Sequence, residues 1–195
     1  VRYTTEGMKM GQYYITVLQD SEGKWRSLHP HHYNNGLKLM EHSWVGNNYC
    51  NTVVKELEKV GPAFIAHIGG YAMDVMNNIP GNGSKSRLKN TYAKAWGKNR
   101  DYYFENPAAE DCHRDPVYIC CPRTKTYLKY EFSRGDDWVV NDFMLLIAVG
   151  NGLGGGDYRG INEDRVGAWA FEKLHVQSEP PEGYTRIPTG MFREE

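Results

Sequence analysis

The sequence predicts an α+β fold: a single domain built on a mostly antiparallel β-sheet with two or three helices packed on it. Short runs of aromatic and β-branched residues alternate with turn-forming clusters at Asp20–Gly23, Asn34–Gly36 and Pro122–Lys125, the signature of hairpins. One longer segment places Cys50, Val53, Val54, Leu57 and Val60 at helical spacing. At 195 residues the chain is long enough for one sizeable core, and neither an internal repeat nor a linker divides it.

Each element follows from its local text. Residues 1–9 read as a leader and the domain runs over 10–176, with 78–115 as a candidate insertion and 177–195 as a polar tail. Gln12–Leu18 is a first strand and Lys24–Leu28 pairs back on it. Leu37–Glu41 reads as a short third strand. Ser43 or Asn48 caps the first helix, which stops at Gly61-Pro62. Ala63–Ile68, apolar and bounded by Pro62 and Gly69-Gly70, is a buried strand. Ser86 caps a second helix over Arg87–Trp96. Val117–Cys121 and Thr126–Phe132 form another hairpin. Asn141 caps a short element over Asp142–Val149, helix or strand, because periodicity does not separate the two in so short a run. Val166–Val176 reads as the last strand.

Composition narrows function. A formal net charge of −1 excludes a globally basic nucleic-acid binder. No apolar run approaches the roughly 20 residues of a membrane-spanning helix. Four cysteines without a framework pattern, two of them adjacent, fit a reducing and cytoplasmic setting.

The stretch that most invites function is Gly150-Asn151-Gly152-Leu153-Gly154-Gly155-Gly156-Asp157-Tyr158-Arg159-Gly160, six glycines in eleven positions after an apolar run. So much bare backbone suits a nest of N–H groups around an anion, or a tight connection that another segment crosses closely, with Asp157 capping its own turn. It is not a Walker loop, since no Gly-Lys-Ser/Thr ends it, and it lacks the context of a dinucleotide fingerprint. His42, within Glu41-His42-Ser43-Trp44, lies at an element junction, where a helix N-terminus lowers a histidine's pKa; a satisfied structural histidine is the plainer reading. His29, His31 and His32 lack further ligands, and Cys112-His113 with Cys120-Cys121 lack knuckle spacing, so no metal site is assigned. Lys85, Arg87, Lys89, Lys94, Lys98 and Arg100, interleaved with Tyr92 and Trp96, suit nucleic acid or a solvated face, and acidic residues follow directly.

The joint pattern Gly11-Gln12-Tyr13-Tyr14, Lys38-Leu39-Met40-Glu41-His42-Ser43-Trp44, Gly150-Asn151-Gly152-x-Gly154-Gly155-Gly156-Asp157-Tyr158 and Val166-Gly167-x-Trp169-Ala170 resembles a family of uncharacterised bacterial and bacteriophage proteins, over residues 10–175. The resemblance implies a phage or prophage origin; it brings no activity, cofactor or catalytic residues.

Three functional expectations result. The leading one is a small cytoplasmic, phage-encoded binding protein for an anionic or nucleotide-like ligand at the glycine loop. Asn151 and the amides of Gly154, Gly155 and Gly156 would contact the anion, Asp157 and Arg159 would fix it, Tyr158 would stack, and His42 with Trp44 would face it. The second is a hydrolase or transferase acting on a nucleotide, with His42 as base and Asp157 as orienting acid. The third is a host protein- or DNA-interaction module through residues 84–115.

Overall fold

The computed structural model describes residues 11–72, 102–103, 114–133, 138–150 and 154–193. The helix expected over Arg87–Trp96, most of segment 78–115 and Asn151 lie outside the described residues.

The fold is α+β, on a mixed and mostly antiparallel sheet. Its strands are β1 (Tyr14–Gln19), β2 (Trp25–Leu28), β3 (Ala63–Gly69), β4 (Tyr102–Tyr103), β5 (Val117–Cys121), β6 (Thr126–Tyr130), β7 (Ala148–Val149), β8 (Glu172–Gln177) and β9 (Thr185–Arg186). Hydrogen bonding runs in the order β4-β2-β1-β3-β8-β5-β6-β9, with β7 pairing separately with β3. The β1/β2, β1/β3, β3/β8, β5/β8 and β5/β6 ladders are antiparallel. The short β4, β7 and β9 join parallel.

Register divides the side chains between two faces. Tyr14, Thr16 and Leu18 of β1 lie opposite Gly69, His67 and Ile65 of β3, on the face that holds the main core. Ile15 and Val17 lie with Ala66 and Ile68 in a smaller cluster on the other face.

Helix α1 spans Leu39–His42, where the sequence suggested a strand. Leu39 and His42, three apart, are both buried, the spacing of one helix face. Glu41 secures the turn by accepting from the Lys38 backbone N–H at 3.0 Å. Helix α2, Asn48–Val60, buries Cys50, Val53, Val54 and Leu57 as its spacing predicts. Its cap is Asn47, not Ser43 or Asn48: the Asn47 side chain accepts from the backbone N–H groups of Tyr49 and Cys50. Gly61, at φ +75°, lets the chain leave the helix.

The run 142–149 is helix and then strand. Helix α3, Asp142–Leu146, is capped by Asn141, which accepts from Met144 N–H at 3.2 Å; β7 follows. The last strand is shorter than expected because residues 166–171 turn. Gly167 sits at φ +79° against the Ala148 carbonyl, where a Cβ would lie 2.6 Å from oxygen. From this turn Gly167 N–H and Trp169 N–H donate to the Leu145 and Leu146 carbonyls, satisfying the end of α3.

The segment expected as a polar tail is docked on the domain. Strand β9 pairs with β6, and Ile187 and Phe192 are buried. Asp142 accepts from the Gly190 and Phe192 N–H groups.

Replacing Asn47 by alanine removes the acceptor that closes the first turn of α2. Urea or thermal unfolding of Asn47→Ala is expected to show a loss of about 1 kcal/mol and a fall in Tm of roughly 2–4 °C; an unchanged Tm contradicts the assigned cap.

Candidate functional site

Asp157 is the centre of the glycine loop, and it faces inward. Its carboxylate Oδ2 accepts from Gln12 Nε2 and, at 3.1 Å, from Gly154 N–H; Oδ1 accepts from the Tyr14 hydroxyl at 3.1 Å. Tyr14 opens strand β1 and Gln12 lies two residues before it. Glycines make room for them: a Cβ on Gly69 or Gly150 would collide with the Gln12 amide and the Tyr14 ring or hydroxyl. A Cβ on Gly154 would sit 3.0 Å from both Asp157 oxygens and from Gln12 Cγ. The loop is therefore crossed closely by another segment, and its aspartate caps its own turn, with Asp157 N–H donating back to the Gly154 carbonyl at 3.2 Å. Burial, reinforced by the Asp157 charge and hydrogen bond, pushes the Tyr14 phenol far above its ordinary value, so this hydroxyl stays protonated and donates.

Beside this group opens a cleft of about 650 Å³. At one end lie Tyr14, Gly150 and Asp157. The apolar walls include Leu39, Leu146, Val149 and Trp169. At the other end, where β5 turns into β6, lie Arg123, Thr124 and Thr126, and the 3-10 turn Glu163–Arg165 completes the rim. Three strand spacings separate β1 from β5, about 14 Å across the sheet before any offset along the strands. Arg123 is held by Glu172, with Nε 2.6 Å from Oε1. The volume lies within the range of small-molecule pockets.

Behind Tyr14 runs a second buried polar chain. His42 Nδ1 lies 2.9 Å from the Gly36 carbonyl, and His42 Nε2 lies 2.8 Å from His67 Nε2. His67 Nδ1 is 2.9 Å from Thr16 Oγ1, which is 2.6 Å from the Tyr49 hydroxyl. One proton arrangement satisfies this with both rings neutral. The Gly36 carbonyl only accepts, so His42 carries its proton on Nδ1 and accepts on Nε2; His67 then donates from Nε2 and accepts from Thr16 on Nδ1. Burial pushes the His42 pKa down to about 4 and that of His67 well below its ordinary value, with His42 adding to the latter. The depression of His42 comes from burial and not from a helix N-terminus, since α2 begins only at Asn48. His67 stacks on Tyr14 with ring centroids 5.1 Å apart, which joins the two networks.

The structure gathers some of the anticipated residues and separates others. Asp157 and Tyr158 line the cleft. The Tyr158 hydroxyl is spent on the Ile161 and Phe192 carbonyls, which anchors the docked C-terminal segment. Gly154 is buried under Asp157, while Gly155 and Gly156 are exposed and Gly156 accepts from Met40 N–H at 2.9 Å. Arg159 is exposed and is not among the residues lining the cleft. Trp44 stands away from it, edge-on to Trp138 with centroids 5.3 Å apart. His42 is fully buried and bonds to His67, not to Asp157. Sequence reasoning passed over Gln12, Tyr14, His67, Arg123 and Arg165. The one usable signal was His67 itself, a lone ionisable residue inside the apolar run Ala63–Ile68.

Among the described residues no group of three or more His, Cys, Asp or Glu side chains is arranged to hold a metal ion, and no helix is long and apolar enough to cross a membrane. The basic and acidic segment 84–115, apart from residues 102–103 and 114–115, lies outside the described residues. Protein-family models, curated proteins and solved structures yield no match to this chain.

The two histidines make stability depend on pH. Their folded pKa values lie below the unfolded value of about 6.5, so between about pH 4 and 6.5 the unfolded chain binds more protons. Stability is therefore full above that window and falls as pH drops through it, by at most about 1.4 kcal/mol per pH unit for each ring. Urea unfolding from pH 7.5 to 4.5 is expected to show this decline, with a shallower slope in His67→Gln; equal slopes contradict the buried neutral pair.

Proposed function

We propose that the protein binds a nucleotide-like small molecule in the cleft, with the ring system towards the glycine loop and the phosphate towards Arg123 and Arg165. The observation that carries this reading is the polarity of the cleft. A carboxylate and a phenol whose proton is already engaged stand at the Asp157 end; the cations of the cleft wall are Arg123, paired with Glu172, and Arg165, which shares its turn with the wall carboxylates Glu163 and Asp164. An anion beside the Asp157 carboxylate would meet a like charge in a partly desolvated site, whereas guanidinium groups and the Thr124 and Thr126 hydroxyls suit phosphate. The reading keeps the ligand class that the glycine loop suggests and reverses its orientation. Free buried thiols at Cys50, Cys120 and Cys121 accord with a reducing cytoplasm.

A hydrolase or transferase built on His42 and Asp157 has less support, because the imidazole is enclosed and bonded elsewhere. A general base needs to reach the proton it removes, directly or through one water.

Titration calorimetry with nucleoside and nucleotide pairs tests the reading. Arg165→Ala is expected to weaken a monophosphate several-fold, of order 1 kcal/mol, and to leave the parent nucleoside unchanged. Absence of heat with every nucleotide, or equal losses for nucleoside and nucleotide, overturns it.

A further inference from the structure

We propose that the inner end of the cleft selects a planar edge carrying two adjacent N–H donors, which among nucleobases means guanine. This rests on the nucleotide reading above and sharpens it.

An ionised carboxylate offers about four acceptor positions. At Asp157, Gln12 and Gly154 both point at Oδ2, and Tyr14 alone points at Oδ1. Oδ1 thus keeps an acceptor position. Tyr14 has committed its only proton to that oxygen and has only lone pairs left to offer. The two oxygens lie 3.1 Å apart, side by side, and both residues belong to the cleft wall. Both are nearly enclosed, Tyr14 at 2% and Asp157 at 8% exposure, and each already partners the other, so a ligand edge meets only their remaining lone pairs. Gly150 packs directly against this pair: a side chain there would collide with the Tyr14 hydroxyl and the Gln12 amide.

The complement of two adjacent acceptors is two adjacent donors. Guanine presents N1–H and its 2-amino group side by side. Hypoxanthine has the N1–H without the amino group. Adenine places an acceptor nitrogen beside its amino group, and cytosine does the same, so each would set a lone pair against an oxygen. Uracil flanks its single N–H with carbonyls. The site discriminates by what it leaves unpaired as much as by what it binds.

The test compares guanosine, inosine and adenosine monophosphates by calorimetry on the unaltered protein, with Tyr14→Phe as a second arm checked for folding by its melt. Guanosine monophosphate is expected to bind about tenfold or more tighter than inosine monophosphate, with adenosine monophosphate weaker still. Tyr14→Phe is expected to weaken the guanine nucleotide most. Binding of all three with equal affinity, or a preference for adenine, overturns the guanine assignment while leaving a nucleotide cleft standing. No binding of any of the three or of the wider nucleotide panel overturns the assignment together with the reading beneath it.

Discussion

A carboxylate taken into a protein interior has to be met by donors, because an unpaired buried charge costs far more than any single packing contact returns. Asp157 meets this requirement with three partners drawn from distant parts of the chain: a side-chain amide, a phenol and a main-chain N–H. Those partners fix the position of the glycine loop against β1, and with it the inner wall of the cleft. The glycines at 69, 150 and 154 follow from the same demand, since each removes a Cβ that would block Gln12, Tyr14 or Asp157. The richness of this region in glycine thus reflects close approach of side chains as much as freedom of the backbone.

The buried histidines extend the constraint into the core. His67 is supported on one side by Thr16 and on the other by His42, and its ring is the surface on which Tyr14 rests. Every polar atom of the two rings has a partner, which allows two titratable groups to sit neutral among Tyr49, Leu39 and the β1–β3 ladder. Enclosure denies His42 contact with a ligand, yet gives it a part in holding the tyrosine that does face the cleft.

Much of the architecture was legible because it is written locally. The spacing from Cys50 to Leu57, the Pro122–Lys125 turn and the apolar run after Pro62 each specify an element without help from elsewhere. The failures share a cause. Leu37–Glu41 is too short for periodicity to separate strand from helix, and the close of α1 depends on Glu41 folding back to Lys38. Val166–Val176 looks like one strand, but the donors of Gly167 and Trp169 are needed by the end of α3, so its first half turns. The glycine loop stood out as a site, and Asp157 within it, while the identity of its partners did not. Gln12 and Tyr14 lie more than 140 residues away in sequence and look like ordinary strand residues. Arg123 reaches the cleft only through the strand order, which no local pattern reports.

The central claim is that Tyr14 and Asp157 are energetically coupled at the wall of an open cleft. A double-mutant cycle in urea with Tyr14→Phe, Asp157→Asn and the combined variant measures that coupling directly. The account predicts a non-additivity of about 1–3 kcal/mol. Additivity within about 0.5 kcal/mol would mean that the two side chains stand near each other without depending on each other, and would contradict it.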